Sequence, residues 1–261
     1  MSRTRLDNAL AERGLFPSRS AAAASVRAGE VRVGPDGPIA LKPSQMVAEG
    51  DELIIERPPP YVSRGGLKLE NALNALAIDV TGRSCLDVGA STGGFTDCLL
   101  QRGAERVVAV DVGYGLLDGR LREDERVTVI ERLNARALEP DDLPFAPDLA
   151  VLDVSFISLR KVLPAVLGCL APGGELLALV KPQFELDRKR VGKGGVVRSP
   201  ADRREAIVAV AQAARELDLP LRGVASSGLP GPKGNRETFV WAGGEEPGIA
   251  DAEAAALEVE P

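Results

Sequence analysis

The chain contains no histidine. That absence removes the commonest proton-transfer side chain, so any general base must be a lysine, a carboxylate, a tyrosine, a cysteine or water. Cysteine is scarce as well: Cys85, Cys98 and Cys169 stand too far apart for a CxxC metal or redox motif. Each falls in a stretch that reads as strand or helix, and all three are expected to be buried small apolar residues in a reducing cytosol. No run approaches the ~20 continuous apolar residues of a membrane helix, and no apolar segment follows Met1. A cytoplasmic protein is expected, with neither metal nor membrane as partner and no oligomer implied.

What is present is a chain of 261 residues with the apolar content of a soluble globular protein, long enough for one ordinary domain and a small one. The formal net charge of -6 hides an uneven distribution. Residues 1–32 carry six arginines (3, 5, 13, 19, 27 and 32) against Asp7, Glu12 and Glu30, whereas the last eighteen residues carry six acids and no base. An acidic total does not exclude a polyanion partner when basic groups cluster on particular elements.

Leu6 to Arg13 has apolar residues at helical spacing, and Ser18 reads as the cap of a second helix over Ser20–Ala28 that ends at Gly29. Val31–Val33, Ile39–Leu41 and Leu53–Ile55 read as short strands between turns. The run Arg5-Leu6-Asp7 with Leu10, then Gly14-Leu15, Ser18-Arg19, Ala22, Gly29, Val31, Val33 and Gly50-Asp51 resembles the S4 RNA-binding domain. By that resemblance the helix pair faces structured RNA, and guanidinium groups on short helices suit phosphate contacts that read shape. A solvated arginine-rich face is the plainer alternative. Pro58-Pro59-Pro60-Tyr61 reads as a stiff connector and also matches a PPxY ligand motif, of which the connector is preferred. The division expected is 1–57, a linker at 58–64, a large domain at 65–244, and an acidic tail at 245–261 that is a frayed helix or mobile.

In the large domain, Gly66–Ala77 has helical periodicity and carries Lys68 near its start. Ser84–Val88 runs into the glycine-rich turn Gly89-Ala90-Ser91-Thr92-Gly93-Gly94 and a helix from Phe95 to Gly103. A second strand, Val107–Val110, ends in Asp111, where a carboxylate suits ribose hydroxyls. Further strands at Val127–Ile130, Leu149–Leu152 and Leu176–Val180 lead to Asn134, Asp153 and Lys181, with a helix over Ser158–Leu170 between the last two. The alternation predicts an α/β fold, a mainly parallel sheet with helices on both faces, binding ligands at the carboxyl ends of its strands.

The turn lacks the second glycine of G-x-G-x-x-G, and Asp87 stands two residues before Gly89. That pattern resembles the Rossmann-like class I S-adenosylmethionine-dependent methyltransferases. The resemblance implies a cofactor site of Asp87, Gly89, Ala90, Ser91, Gly93, Gly94, Phe95 and Asp153, with Asp111 at the ribose and Asn134 near the adenine.

Lys68, Asp153, Lys181 and Glu237 resemble the K-D-K-E tetrad of FtsJ-type RNA ribose 2′-O-methyltransferases. With the S4-like front, the Val62–Leu69 junction, Asp153-Val154-Ser155-Phe156 and Lys181-Pro182-Gln183-Phe184-Glu185, the chain resembles the TlyA family, also described as haemolysin-like. This implies methylation of ribose 2′-oxygens of cytidines in 16S or 23S RNA within ribosomal subunits, with the tetrad catalytic. The family can carry a tryptophan in the linker where this chain has Tyr61.

Lys181 to Arg204 holds eight basic residues against three acids. With its glycines it reads as a mobile basic loop beside the active edge. The RNA-contact set expected is therefore Arg3, Arg5, Arg19, Arg27, Arg64, Arg188, Lys189, Arg190 and Lys193. The rival classes are a noncatalytic RNA-binding assembly factor, a membrane-lytic haemolysin and an amino-group methyltransferase. Asp153-Val154-Ser155-Phe156 is unlike the Asn-Pro-Pro-aromatic run that the last tends to carry.

Overall fold

Leu6, Leu10, Ala22 and Val26 recur at helical spacing, and in the computed structural model they close on Val31, Ala40 and Val47 as the core of a small first unit. The structure describes all residues except 1, 2, 17, 28, 57–59, 232, 246 and 261, and the chain divides between Pro60 and Tyr61. Most of the proline run therefore lies outside the described residues.

In the first unit β1 (Arg3–Arg5) leads into α1 (Leu6–Glu12), followed by α2 (Arg19–Arg27), β2 (Val31–Val33), β3 (Met46–Ala48) and β4 (Leu53–Ile55). β1 pairs antiparallel with β3, and β2 with β4. Of the strand expected at Ile39–Leu41, a single bridge from Ile39 to Arg32 forms. Gly14 explains why α1 stops where it does: at φ +70° its amide donates to the Ala11 carbonyl and the Leu15 amide to the Leu10 carbonyl, while the Arg13 guanidinium donates to the carbonyls of Asp51, Glu49 and Ala48 and ties the helix end to the β3–β4 turn.

The second unit starts at Tyr61, ahead of the expected residue 65. Tyr61 is buried, with its ring packed against Gly66, where a Cβ would approach the ring to 2.3 Å. It belongs to a core and is not presented as a PPxY ligand. α3 (Arg64–Ala75) is capped by Ser63, whose hydroxyl accepts from the Gly65 amide. Then come β5 (Ser84–Val88), α4 (Gly94–Gln101), β6 (Arg106–Asp111), α5 (Gly119–Arg122), β7 (Val127–Glu131), β8 (Leu149–Leu152), α6 (Leu163–Leu167), β9 (Glu175–Val180), α7 (Pro182–Glu185), α8 (Pro200–Arg215), β10 (Leu221–Ser226), β11 (Thr238–Gly243) and α9 (Ala252–Val259).

The sheet order is β10-β11-β9-β8-β5-β6-β7, parallel from β9 to β7, with β11 antiparallel to both β9 and β10. Strands β5, β8 and β9 are almost wholly buried, and β8 and β9 are Val/Leu/Ala-rich, as a sheet covered on both faces demands. Alternate residues serve opposite layers. Leu86, Val88, Ala150, Leu152 and Ala178 join α6, α8 and α9; Cys85, Leu149, Val151, Leu177 and Leu179 join α3 and α4. The three cysteines are buried and free, and burial pushes the Cys85 and Cys98 thiols up to about 12, which keeps them protonated and inert.

The acidic tail departs from expectation. Asp251 caps α9 by accepting from the Glu253 and Ala254 amides, and Ala252, Ala255 and Ala256 share one buried face. Small side chains at i, i+3 and i+4 let the helix approach α8 and β10 closely, so the six acids conceal an apolar stripe. The helix expected over Ser158–Leu170 is a short 3-10 turn, Leu159–Lys161, followed by α6, whose first turn contains Pro164. Arg203 and Arg204, expected in a mobile loop, stand in the first turn of α8, which Ser199 caps.

Candidate active site

β9 and β11 run in opposite directions, so the carboxyl end of β9 lies beside the start of β11, with Val180 opposite Thr238. The residues just beyond those positions, Lys181 and Glu237, thereby reach one rim. β8 is parallel to β9 and ends at Asp153, and α3 brings Lys68 across from the other side. All four line a single cavity of about 1010 Å³.

The four form two ion pairs. Lys68 Nζ lies 2.5 Å from Glu237 Oε2, with both side chains buried. Lys181 Nζ lies 2.6 Å from Asp153 Oδ1 and donates to Ser155 Oγ at 2.8 Å. The Asp153 oxygen is close yet misaligned for a hydrogen bond, so this contact is a charge pair. Burial without partners would be costly for any of these groups, and the pairing removes that cost.

Two further cavities, of about 460 and 380 Å³, flank the carboxyl ends of β5, β6 and β8 and share Gly89, Ser91 and Asp153. Asp87, Ala90, Gly94, Phe95 and Lys68 line the smaller one. Asp87 is fully buried; its Oδ2 accepts from the Thr96 amide and hydroxyl, while its Oδ1 has no hydrogen-bond partner among the described residues. Burial raises its carboxyl to about 7, against the opposing pull of Thr96. Asp111 and Asn134 line the other cavity. The Asp111 carboxylate accepts from the amides of Ser91 and Gly113, which fixes its orientation, and Asn134 caps the turn that follows it by accepting from the Arg136 amide.

Gly93 is the exception in the expected cofactor set. It lines none of these cavities, and a Cβ there would meet Leu121 and Leu117 at 2.4 and 2.8 Å; its φ of +95° starts α4. Gly89 is also constrained by the protein itself: at φ +85° its Cβ would fall 2.7 Å from the Asp153 carbonyl oxygen.

The expected RNA-contact residues divide. Arg5 and Arg19 both pair with Asp7, and the Arg5 hydrogen bond above all holds that carboxyl down at about 2. Arg3 and Arg27 are exposed. Arg64 donates to the Pro230 carbonyl at the mouth of the 380 Å³ cavity, and Arg188 lines the large one. Lys189 and Lys193 are exposed. Arg190 is engaged by Asp202 and Glu205, which opposes a free phosphate-binding role. The basic segment is pinned as well: Asn235 donates to the Gly195 carbonyl and accepts from the Val197 amide.

Several lining residues lay outside the expectation. Ser155 orients Lys181, and Arg136, Lys161 and Lys233 add cations to the large cavity. Phe156 is 92% exposed with φ +64°, its ring 5.3 Å from that of Phe184. A left-handed aromatic residue is a strained feature of the kind that clusters at functional sites. Below it, Glu185 accepts from Ser158 Oγ and the Leu159 amide, and burial raises its carboxyl.

A seven-stranded, mostly parallel sheet with this rim defines a Rossmann-like methyltransferase. The FtsJ-like methyltransferase model matches residues 61–244 and the S4 domain model residues 4–53. The 16S/23S rRNA (cytidine-2′-O)-methyltransferase TlyA of Mycobacterium tuberculosis is 51% identical over 92% of this chain and 89% of its own. Hemolysin A of Brachyspira hyodysenteriae is 41% identical over 74% and 80%. A solved structure described as a hemolysin from Streptococcus thermophilus superposes with a TM-score of 0.74 at 38% identity, covering 99% of this chain and 96% of that one. The chain belongs to the TlyA family of FtsJ-like methyltransferases.

Proposed function

We propose that this protein is an S-adenosylmethionine-dependent ribosomal RNA methyltransferase that modifies the ribose 2′-oxygen of cytidine within ribosomal subunits. The observation that carries the reading is the meeting of two lysine–carboxylate pairs, one buried and one partly open, in one cavity beside a glycine-rich turn. Family membership and the two domain matches support it, as does the name of the Mycobacterium relative.

The residues present fit the cofactor. The orphaned Asp87 Oδ1 is a buried acceptor suited to an ammonium group, and the Asp111 carboxylate, held by two amides, keeps lone pairs for ribose hydroxyls. Asn134 is our candidate for the adenine side, with Gly89, Ala90, Ser91, Gly94 and Phe95 along the walls. When bound, S-adenosylmethionine supplies an electrophilic methyl on sulfur.

A ribose hydroxyl is a weak nucleophile, so the site must place it and stabilise the charge that develops as its proton passes to the Asp153 carboxylate or to solvent. A lysine ammonium has three N–H bonds. Ser155 accepts from one of them and Asp153 lies against the ammonium as a charge partner, so Lys181 keeps an N–H for the 2′-oxygen, where it matches developing alkoxide charge. Lys68 and Glu237 hold the opposite wall. Arg136, Lys161, Arg188 and Lys233 offer phosphate contacts, and Phe156 an aromatic face for an unstacked base. Among the described residues no helix is long and apolar enough to cross a membrane, so nothing seen favours a helical membrane-lytic reading.

The test is transfer of labelled methyl to purified 30S and 50S subunits by wild type and Lys181→Ala, followed by alkaline hydrolysis of the RNA. A 2′-O-methyl blocks cleavage at its own linkage, so label in an alkali-resistant dinucleotide is expected from wild type only. Label in a mononucleotide would replace the reading with base methylation, and no label from a folded, RNA-binding protein would replace it with an assembly factor.

A further inference from the structure

Glu260 is an acid in an acidic tail, yet it is 3% exposed and sits in a nest of guanidinium groups. Its Oε2 accepts from Arg203 at 2.8 Å and lies 3.5 Å from Arg236, and its backbone carbonyl accepts from Arg204 at 2.8 Å. Arg203 is buried too, and its other terminal nitrogen donates to the carbonyls of Arg198 and Val197 at 2.9 and 3.3 Å. The Val197 amide donates in turn to Asn235 Oδ1 at 2.9 Å, and Asn235 returns a bond to the Gly195 carbonyl at 2.7 Å. Gly195 and Asn235 line the large cavity beside Glu237.

We infer that Glu260 is a positioning residue for RNA: through Arg203 it holds the 191–198 segment, which forms one wall of the cavity and follows Arg188, at the height at which RNA docks. The inference rests on the proposed RNA reaction for its consequence, though the coupling itself does not. Without the carboxylate, Arg203 becomes an unpaired buried cation and must swing toward other acceptors, releasing the two carbonyls that it holds. Arg236 loses the same neighbour. Glu237 is shielded from this, because Lys68 pairs with it and the β9–β11 ladder begins at the next residue. The cofactor cavities share no residue with the network. The effect therefore falls on RNA binding and spares cofactor affinity and the chemical step.

The full-length protein is compared as wild type, Glu260→Gln, Glu260→Ala and Arg204→Ala. The last variant releases only the Glu260 carbonyl and controls for loosened docking of α9. Amide hydrogen exchange of Val197 is read alongside the KM for ribosomal subunits, kcat and calorimetric cofactor affinity. Glu260→Ala is expected to speed Val197 exchange and to raise the KM for RNA, each roughly tenfold, with kcat and cofactor affinity within about twofold. Glu260→Gln, which keeps an acceptor for Arg203 but not its counter-charge, is expected to shift both readouts in the same direction by less, about threefold, and Arg204→Ala leaves both near wild type. Should Glu260→Ala not fold, Glu260→Gln carries the comparison with a smaller shift of the same sign. Unchanged Val197 exchange in Glu260→Gln and Glu260→Ala overturns the inference. So does an equal fall of cofactor and RNA affinity, or faster exchange with an unchanged KM. A wild type that transfers no methyl would defeat the proposed reaction, while Val197 exchange would still decide the coupling.

Discussion

Lys68 and Glu237 are 169 positions apart in the chain and meet at 2.5 Å with both side chains buried. Pairs of this kind cost desolvation energy to assemble and far more to break singly. Lys68→Ala should therefore lower stability by roughly 3–5 kcal/mol, as should Glu237→Ala, because each strands a buried charge. The double variant Lys68→Met with Glu237→Leu should recover much of that loss and still be inactive. Denaturant unfolding of the three variants, followed by methyl-transfer assay, checks both halves.

Lys181 makes the opposite case, since it sits against a half-open carboxylate and a hydroxyl. Lys181→Ala should cost about 10²–10³ in single-turnover rate, the loss expected for one donor to a developing oxyanion, with cofactor affinity nearly unchanged. Ser155→Ala should cost roughly tenfold, through loss of one hydrogen bond that fixes the ammonium. A quenched-flow time course on ribosomal subunits separates the two.

Asp87 couples cofactor binding to pH. Its carboxyl, raised to about 7 by burial, is largely neutral below that value and ionised above it. A cationic amino group favours the ionised form, so cofactor affinity should rise as pH increases through about 7, with a proton released on binding below it. Asp87→Asn should bind weakly and flatten the profile. Calorimetry in buffers of different ionisation enthalpy reports both the affinity and the proton.

Asp7 gives the first unit an acid limit. Its carboxyl is lowered from 3.8 to about 2, first by the Arg5 hydrogen bond. A depressed carboxylate contributes stability that is fully present above the unfolded value and lost as pH falls through the folded one, here between about 4 and 2. In the full-length protein, amide signals of α1 and α2 should therefore stay dispersed down to that window, and Asp7→Asn should make the unit less stable already near neutral pH while removing this part of its acid dependence.

Gly89→Ala should impair folding and cofactor binding together, since a Cβ at φ +85° would press on the Asp153 carbonyl. The expected loss is a few kcal/mol, read by thermal unfolding.

The parallel core of the sheet was legible in the sequence because β6, β8 and β9 are largely buried on both faces and leave Val, Leu and Ala runs, whereas β10, with alternating burial, was not read as a strand. Asp111, Asp153 and Lys181 could be placed at their ends by counting alone. Several things escaped that reading. The docking of α9 depends on alanines, whose burial leaves little mark on a segment dominated by charge. The engagement of Arg190 by Asp202 and Glu205, and of Arg203 by Glu260, joins groups from different elements, so a local count of bases took paired cations for free ones. Gly93 was assigned to a ligand because glycine-rich turns usually face one; here it makes room for leucines.

Strand β11 enters the sheet between β9 and β10, although it is the last strand in the chain. During synthesis the apolar edge of β9 stays bare until residues 238–243 have left the ribosome, and Glu237 arrives with them. The enzyme is thus incomplete for most of its own translation. A chain cut short before β11 would leave one edge of β9 bare and β10 without a partner strand, a template for self-association, and no finished active site.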